Sequence, residues 1–218
     1  EQGLSRLAFY LEEKEGRSVS VYQGSCDKLE YFQQAQLFVE GEYEGFCGSV
    51  FVENFDESLM REQVDTIKET AIARKKLFVP YEYPLCPETE GDTEWLPLDQ
   101  MLEKLAAAEK TAYELDKRIT TVQRCVCHER KQKVTLLDHQ GHSVSDHWAG
   151  GNFFLGVSAK QEDQVQLGGK GKAFLLNKEY PDFSKLAEQG AERAVSKLGS
   201  GSYRTGNCPV LLEPSVVC

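Results

Sequence analysis

The sequence predicts an α+β fold of two modules, each an antiparallel sheet flanked by helices, joined by a Pro-rich acidic linker. Three observations predict it. Strand-like segments come in runs and do not alternate with helices, which disfavours βαβ units. Four of the seven prolines (Pro80, Pro84, Pro87 and Pro97) gather in one acidic stretch. The 218 residues, 40% of them hydrophobic, exceed the ~100–150 of a usual domain and are rich enough in apolar side chains for a packed core.

In the first module Leu4, Leu7, Ala8 and Leu11 stand at helical spacing before Gly16, which predicts an opening helix. Ser18-Val19-Ser20-Val21-Tyr22 alternates with period two, as a half-buried strand does. Leu37-Phe38-Val39 and 46–52 read as two strands joined by a tight turn at Glu42-Tyr43-Glu44-Gly45. Asp56 can cap a long helix whose apolar stripe is Met60, Val64, Ile67 and Ala71.

Residues 80–97 read as the linker, extended and semi-stiff because proline fixes φ and donates no backbone hydrogen bond. The second module opens with a helix carrying Leu98, Met101, Leu102, Leu105, Ala112 and Leu115. Strand-like segments follow at 119–130, 133–139, 143–147, 153–160 and 164–167, and Gly141 sits where a hairpin wants positive φ. A last helix after Pro181-Asp182 carries Phe183, Leu186, Gly190, Ala194 and Leu198, with Gly199 ending it. The expected boundaries are 1–79 for the N-terminal domain, 80–97 for the linker and 98–208 for the middle domain. Residues 209–218 read as the start of a further, truncated domain, because the chain begins without Met and stops inside an apolar run.

A formal net charge of -10 repels phosphate backbones, and the basic runs Arg74-Lys75-Lys76 and Arg130-Lys131-Gln132-Lys133 are too short to overcome it. No nucleic-acid partner is expected. Seven scattered cysteines in a chain this long read as reduced thiols of a cytoplasmic protein. No apolar stretch approaches the ~18 residues of a membrane span, so no membrane partner is expected either.

Cys125-Val126-Cys127-His128, with His139, His142 and His147, is the densest group of zinc-type ligands. Structural zinc usually takes C-x2-C from a turn. C-x-C on a strand puts both sulfurs on one face ~6.5–7 Å apart and turns His128 to the other. Gly168-Gly169-Lys170-Gly171-Lys172 lacks the Ser/Thr and the helix of a phosphate loop and reads as a flexible turn between strands. There is no G-x-S-x-G elbow. Glu12, Glu13, Glu15 and the cluster Glu88-Glu90-Asp92-Glu94 read as solvated surface. No catalytic, cofactor-binding or metal residue is assigned on this chain.

The order of several motifs resembles the TldD/PmbA family, whose members were named as modulators of DNA gyrase. The first is Gly16-Arg17-Ser18-Val19-Ser20-Val21-Tyr22-Gln23-Gly24, followed by Leu29-Glu30-Tyr31. The turn and strand at 41–49 and the helix Ile67-Lys68-Glu69-Thr70-Ala71-Ile72-Ala73 continue it. Leu102-Glu103-Lys104-Leu105, Asp116-Lys117-Arg118-Ile119, the His139-Gln140-Gly141 turn, 191–198 and Gly206-Asn207-Cys208-Pro209-Val210-Leu211-Leu212 complete it.

The resemblance implies a cytoplasmic metallopeptidase assembly of two related subunits. One is a TldD-type subunit that holds zinc through an HExxxH helix and a later cysteine. The other lacks these ligands and completes a chamber for unfolded peptide clients. Residues 1–218 contain no HExxxH, and Glu213-Pro214-Ser215-Val216-Val217 stands where the zinc subunit has a Gly-rich step. The resemblance therefore implies the PmbA-type partner, with zinc in the other subunit and none here. The competing expectation is a non-enzymatic module that binds a peptide or protein client.

Overall fold

The computed structural model describes residues 3–53, 57–79, 94–176, 179–201, 205–207 and 209–211, with the side chains of 57–61 outside the description. Six antiparallel strands form one sheet: β1 (Arg6–Tyr22), β2 (Ser25–Tyr43), β3 (Phe46–Val52), β4 (Ile119–Asp138), β5 (Ser143–Gln161) and β6 (Gln164–Leu175). Their spatial order is β3-β2-β1-β4-β5-β6. Among the described residues the sheet is joined by three helices: α1 (Glu57–Arg74), α2 (Leu98–Leu115) and α3 (Phe183–Val195).

The opening helix is corrected. Residues 6–22 are the central strand β1, paired along its length with β2 and over Ala8–Ser20 with β4. Leu4, Leu7 and Leu11 satisfy a helical spacing, but Leu7-Phe9-Leu11 also alternates with period two. That alternation prevails because a strand here puts all three against the cluster of Leu37, Val39, Val50, Val52 and Ile67. Two sheets, one for each module, are also corrected to one continuous sheet, since β1 joins both halves. The segments read as 119–130 and 133–139 are the single strand β4, and 143–147 and 153–160 are the single strand β5.

Turn chemistry sets the hairpins. Gln23 (φ 52°) with Gly24 (φ 73°), and Glu44 (φ 50°) with Gly45 (φ 81°), are two-residue loops with both residues in the left-handed region, which matches the twist of the flanking strands. Gly141 has φ 87°, as its hairpin position requires, and Gly199 has φ 79° beyond α3. Asp182 caps α3 by accepting the Lys185 N–H. Asp56 and residues 80–93 lie outside the described residues.

One face of the sheet carries all three helices, with α1 on β2 and β3, α2 on β1 and β4, and α3 on β5 and β6. Register explains why that face holds two separate cores. Leu7, Phe9 and Leu11 of β1 pack into the cluster under α1, while Val19 and Val21 join Met101, Leu105, Cys127, Phe153, Leu155 and Phe183 under α2 and α3. Between them the same face is polar: Glu13 pairs across to Lys133, and Glu15 to Lys131. Close approach of helix to sheet depends on missing side chains. A Cβ on Gly48 would stand 1.7 Å from the Ile67 carbonyl oxygen of α1, and one on Gly168 would stand 2.3 Å from the Ala194 nitrogen of α3.

Candidate functional site

Cys125 and Cys127 point from β4 into the core under α2, and the Cys125 thiol lies 3.5 Å from the Leu105 carbonyl oxygen. Burial, with the Glu109 charge adding to it, pushes the Cys125 thiol up to about 12. Burial raises Cys127 further, with the Glu129 carboxylate adding to it. His128 lies on the opposite, exposed face, where partial burial and the Arg124 charge hold its imidazole below the ordinary value. His142 sits in the β4–β5 turn, its Nδ1 2.9 Å from Asp138, and His147 lies on β5. The strand therefore separates these groups instead of bringing them together.

The Gly168–Lys172 run is corrected from turn to strand, because it lies inside β6. Its glycines have packing reasons: Gly168 admits α3, while Gly169 and Gly171 lie under the Phe154 ring at 3.1 and 3.2 Å from where a Cβ would stand. Glu12, Glu13 and Glu15 sit on β1 and not on a helix surface. Glu12 is held by Lys14 at 2.6 Å and by the Gln132 amide at 2.5 Å. Glu88, Glu90 and Asp92 lie outside the described residues.

Two buried carboxylates escape sequence reasoning. Glu129 receives the Arg17 Nε–H at 2.5 Å and the Tyr180 hydroxyl, while Arg17 also donates to the Leu96 carbonyl. The Leu96 N–H donates to the Tyr180 oxygen at 3.2 Å, and Trp95 takes the Arg17 guanidinium against its ring at 5.4 Å. This network ties residues 95–96 to the sheet. Glu109 of α2 accepts the N–H groups of Gln23 and Gly24 at 2.9 and 2.7 Å, docking the β1–β2 hairpin tip on the helix. Neither carboxylate has a local signal, because each partner lies far away in sequence.

The face opposite the helices bears the exposed chemistry. A cleft of about 490 Å³ at the β6 side is lined by Arg124, Phe154, Gly156, Leu167, Gly169 and Lys197. A second, of about 320 Å³ at the β3 side, is lined by Tyr10, Glu12, Gln36, Phe38 and Phe51. Arg130 stacks over Trp148 at 5.0 Å and Arg124 over Phe154 at 6.0 Å. The sequence signal for these pairs is an aromatic two residues before a glycine, twice on one strand: Trp148-Ala149-Gly150 and Phe154-Leu155-Gly156.

Residues 93–198 match the family model of the PmbA/TldA metallopeptidase central domain. Three solved structures share the fold. A candidate modulator of a DNA gyrase from Thermotoga maritima aligns at TM-score 0.69 and 16% identity, covering 92% of this chain and 46% of that one. TldE from Thermococcus kodakarensis aligns at TM-score 0.70 and 16% identity, covering 88% and 44%. A candidate modulator of DNA gyrase from Bacteroides thetaiotaomicron aligns at TM-score 0.65 and 15% identity, covering 94% and 48%. The chain thus spans about half the length of each. No curated protein matches the sequence.

The sheet under α2 and α3 is thus a central domain of the metallopeptidase-related α+β class. Residues 93–198 carry the central domain of the TldD/PmbA family. Among the described residues no helix is long and apolar enough to cross a membrane.

Proposed function

We propose that this chain acts as a subunit, or part of one, in a TldD/PmbA-type cytoplasmic peptidase assembly. In it the chain is the PmbA-type partner that helps wall a chamber for unfolded peptides, and a related TldD-type subunit supplies the zinc. The match of 93–198 to the PmbA/TldA metallopeptidase central domain carries the reading. The geometry of the chain's own groups supports the supporting role. Cys125 and Cys127 are buried with raised thiol values, and His128 faces away from both, so they are not arranged as nucleophile and base.

The test is cleavage of an unfolded peptide by the chain alone, by a zinc-bearing TldD-type homologue alone, and by the two together, each with and without chelator. Cleavage that requires both proteins and stops with chelator is expected. Chelator-sensitive turnover by the chain alone would overturn the reading. A non-enzymatic client-binding module is the second reading, favoured by the helix-free sheet face.

A further inference from the structure

Register places Arg130 of β4 directly opposite Gly150 of β5, and Arg124 directly opposite Gly156. In each case the residue two positions before the glycine is aromatic, and its ring lies over the glycine. A Cβ on Gly150 would meet Trp148 Cζ2 at 2.6 Å, and one on Gly156 would meet Phe154 Cε1 at 3.1 Å. Trp148 is 42% exposed and Phe154 37%. The same three-part unit, arginine over aromatic over glycine, therefore occurs twice on the helix-free face.

Rings over glycines stabilise a sheet, and that alone would explain the ring positions. It does not explain the arginines. Neither Arg124 nor Arg130 has a carboxylate partner among the described residues, in a chain with 35 acidic and 25 basic residues. A guanidinium stacked over a ring still presents its planar fork of donors to a ligand carboxylate.

We propose that this face of β4 and β5 docks an extended acidic peptide at two points, with one carboxylate on Arg124 and one on Arg130 and apolar side chains on Phe154 and Trp148. The register runs without interruption between the two units, so six residues separate them on both strands. That is about 20 Å, the span of roughly six residues of an extended peptide laid along the face. The cleft beside Phe154, with Lys197 at its rim, continues the cationic surface to the β6 edge. The chain's net charge of -10 disfavours a polyanion such as nucleic acid, whereas a short peptide with two carboxylates meets only the local field. The inference stands apart from the assembly role, since binding is read without hydrolysis and a failure of either leaves the other untouched.

The probe is a fluorescein-labelled peptide with two Glu residues about six positions apart, a Leu beside each and Ser between them. Saturable binding to the intact chain is expected, with a change in Trp148 emission and weakening as salt rises. R124Q/R130Q should weaken it at least about tenfold while the circular dichroism and melting temperature stay unchanged. Moving the two Glu residues to about half that spacing should weaken it as well. Equal affinity for a Lys-substituted peptide, or for the double variant, would overturn the proposal. So would tighter binding of a single-stranded oligonucleotide, or a wild-type dimer that R124Q/R130Q converts to monomer, since the face would then have another occupant.

Discussion

Arg17 and Glu129 stand directly opposite each other where β1 crosses to β4, and their side chains form a buried ion pair at 2.5 Å. The Glu129 side chain is 0% exposed and that of Arg17 5%, so neither charge has water to fall back on. Removing one partner leaves the other uncompensated. Glu129→Ala is expected to destabilise the chain by roughly 3–5 kcal/mol in urea melts. Replacing both with apolar residues of similar size, R17M/E129L, should recover most of that loss. A single substitution costing less than about 1 kcal/mol would show that the pair is not the anchor.

Glu109 gathers the two amides of the β1–β2 turn, and its carboxylate is the acceptor for both. Glu109→Ala should cost about 1–3 kcal/mol, the loss of the two hydrogen bonds that the exposed turn amides make to a charged acceptor. Hydrogen exchange should quicken first at Gln23 and Gly24. Unchanged protection there would mean that the hairpin tip holds its shape without the helix.

The buried thiols give a pH dependence of definite sign. Unfolded, Cys125 and Cys127 release protons near the ordinary thiol value of 9.0; folded, Cys125 holds its proton to about 12 and Cys127 is raised as well. Above pH 9 the unfolded chain therefore binds fewer protons, and stability falls as pH rises through the alkaline range. It is fully present below that window. C125A/C127A should flatten the alkaline slope of urea midpoints, and an unchanged slope would mean other groups cause it. Elemental analysis of chain purified without chelator is expected to find no stoichiometric zinc; one tight zinc lost in C125A/C127A would reverse that expectation.

Gly48 lets α1 lie on β3, because a Cβ there would collide with backbone and not with a yielding side chain. Gly48→Ala should destabilise by about 1–3 kcal/mol or more and loosen α1 first. Gly24→Ala makes the comparison, since a Cβ there meets nothing within 4 Å and its cost comes only from φ 73°. Equal effects on α1 packing from both would refute the close-approach account.

Several local elements are legible in the linear sequence. The apolar stripes of α2 and α3, the Asp182 cap, the period-two alternation of 18–22 and the glycine at 141 are properties of neighbouring residues, so a linear pattern records them. The family resemblance was legible for the same reason, as an ordered series of short motifs. Pairing with β2 and β4 selected the strand at Leu7 and Leu11, where both periods fit the sequence. The tertiary structure alone joined the halves into one sheet and set Arg17 against Glu129, 112 residues away. The Arg–aromatic–glycine units were half visible, because Trp148-x-Gly150 and Phe154-x-Gly156 are local while the arginines opposite them come from the β4 register. Contacts across a sheet depend on which residues stand opposite, and that is fixed by burying one face of every strand at once, which no single segment can specify.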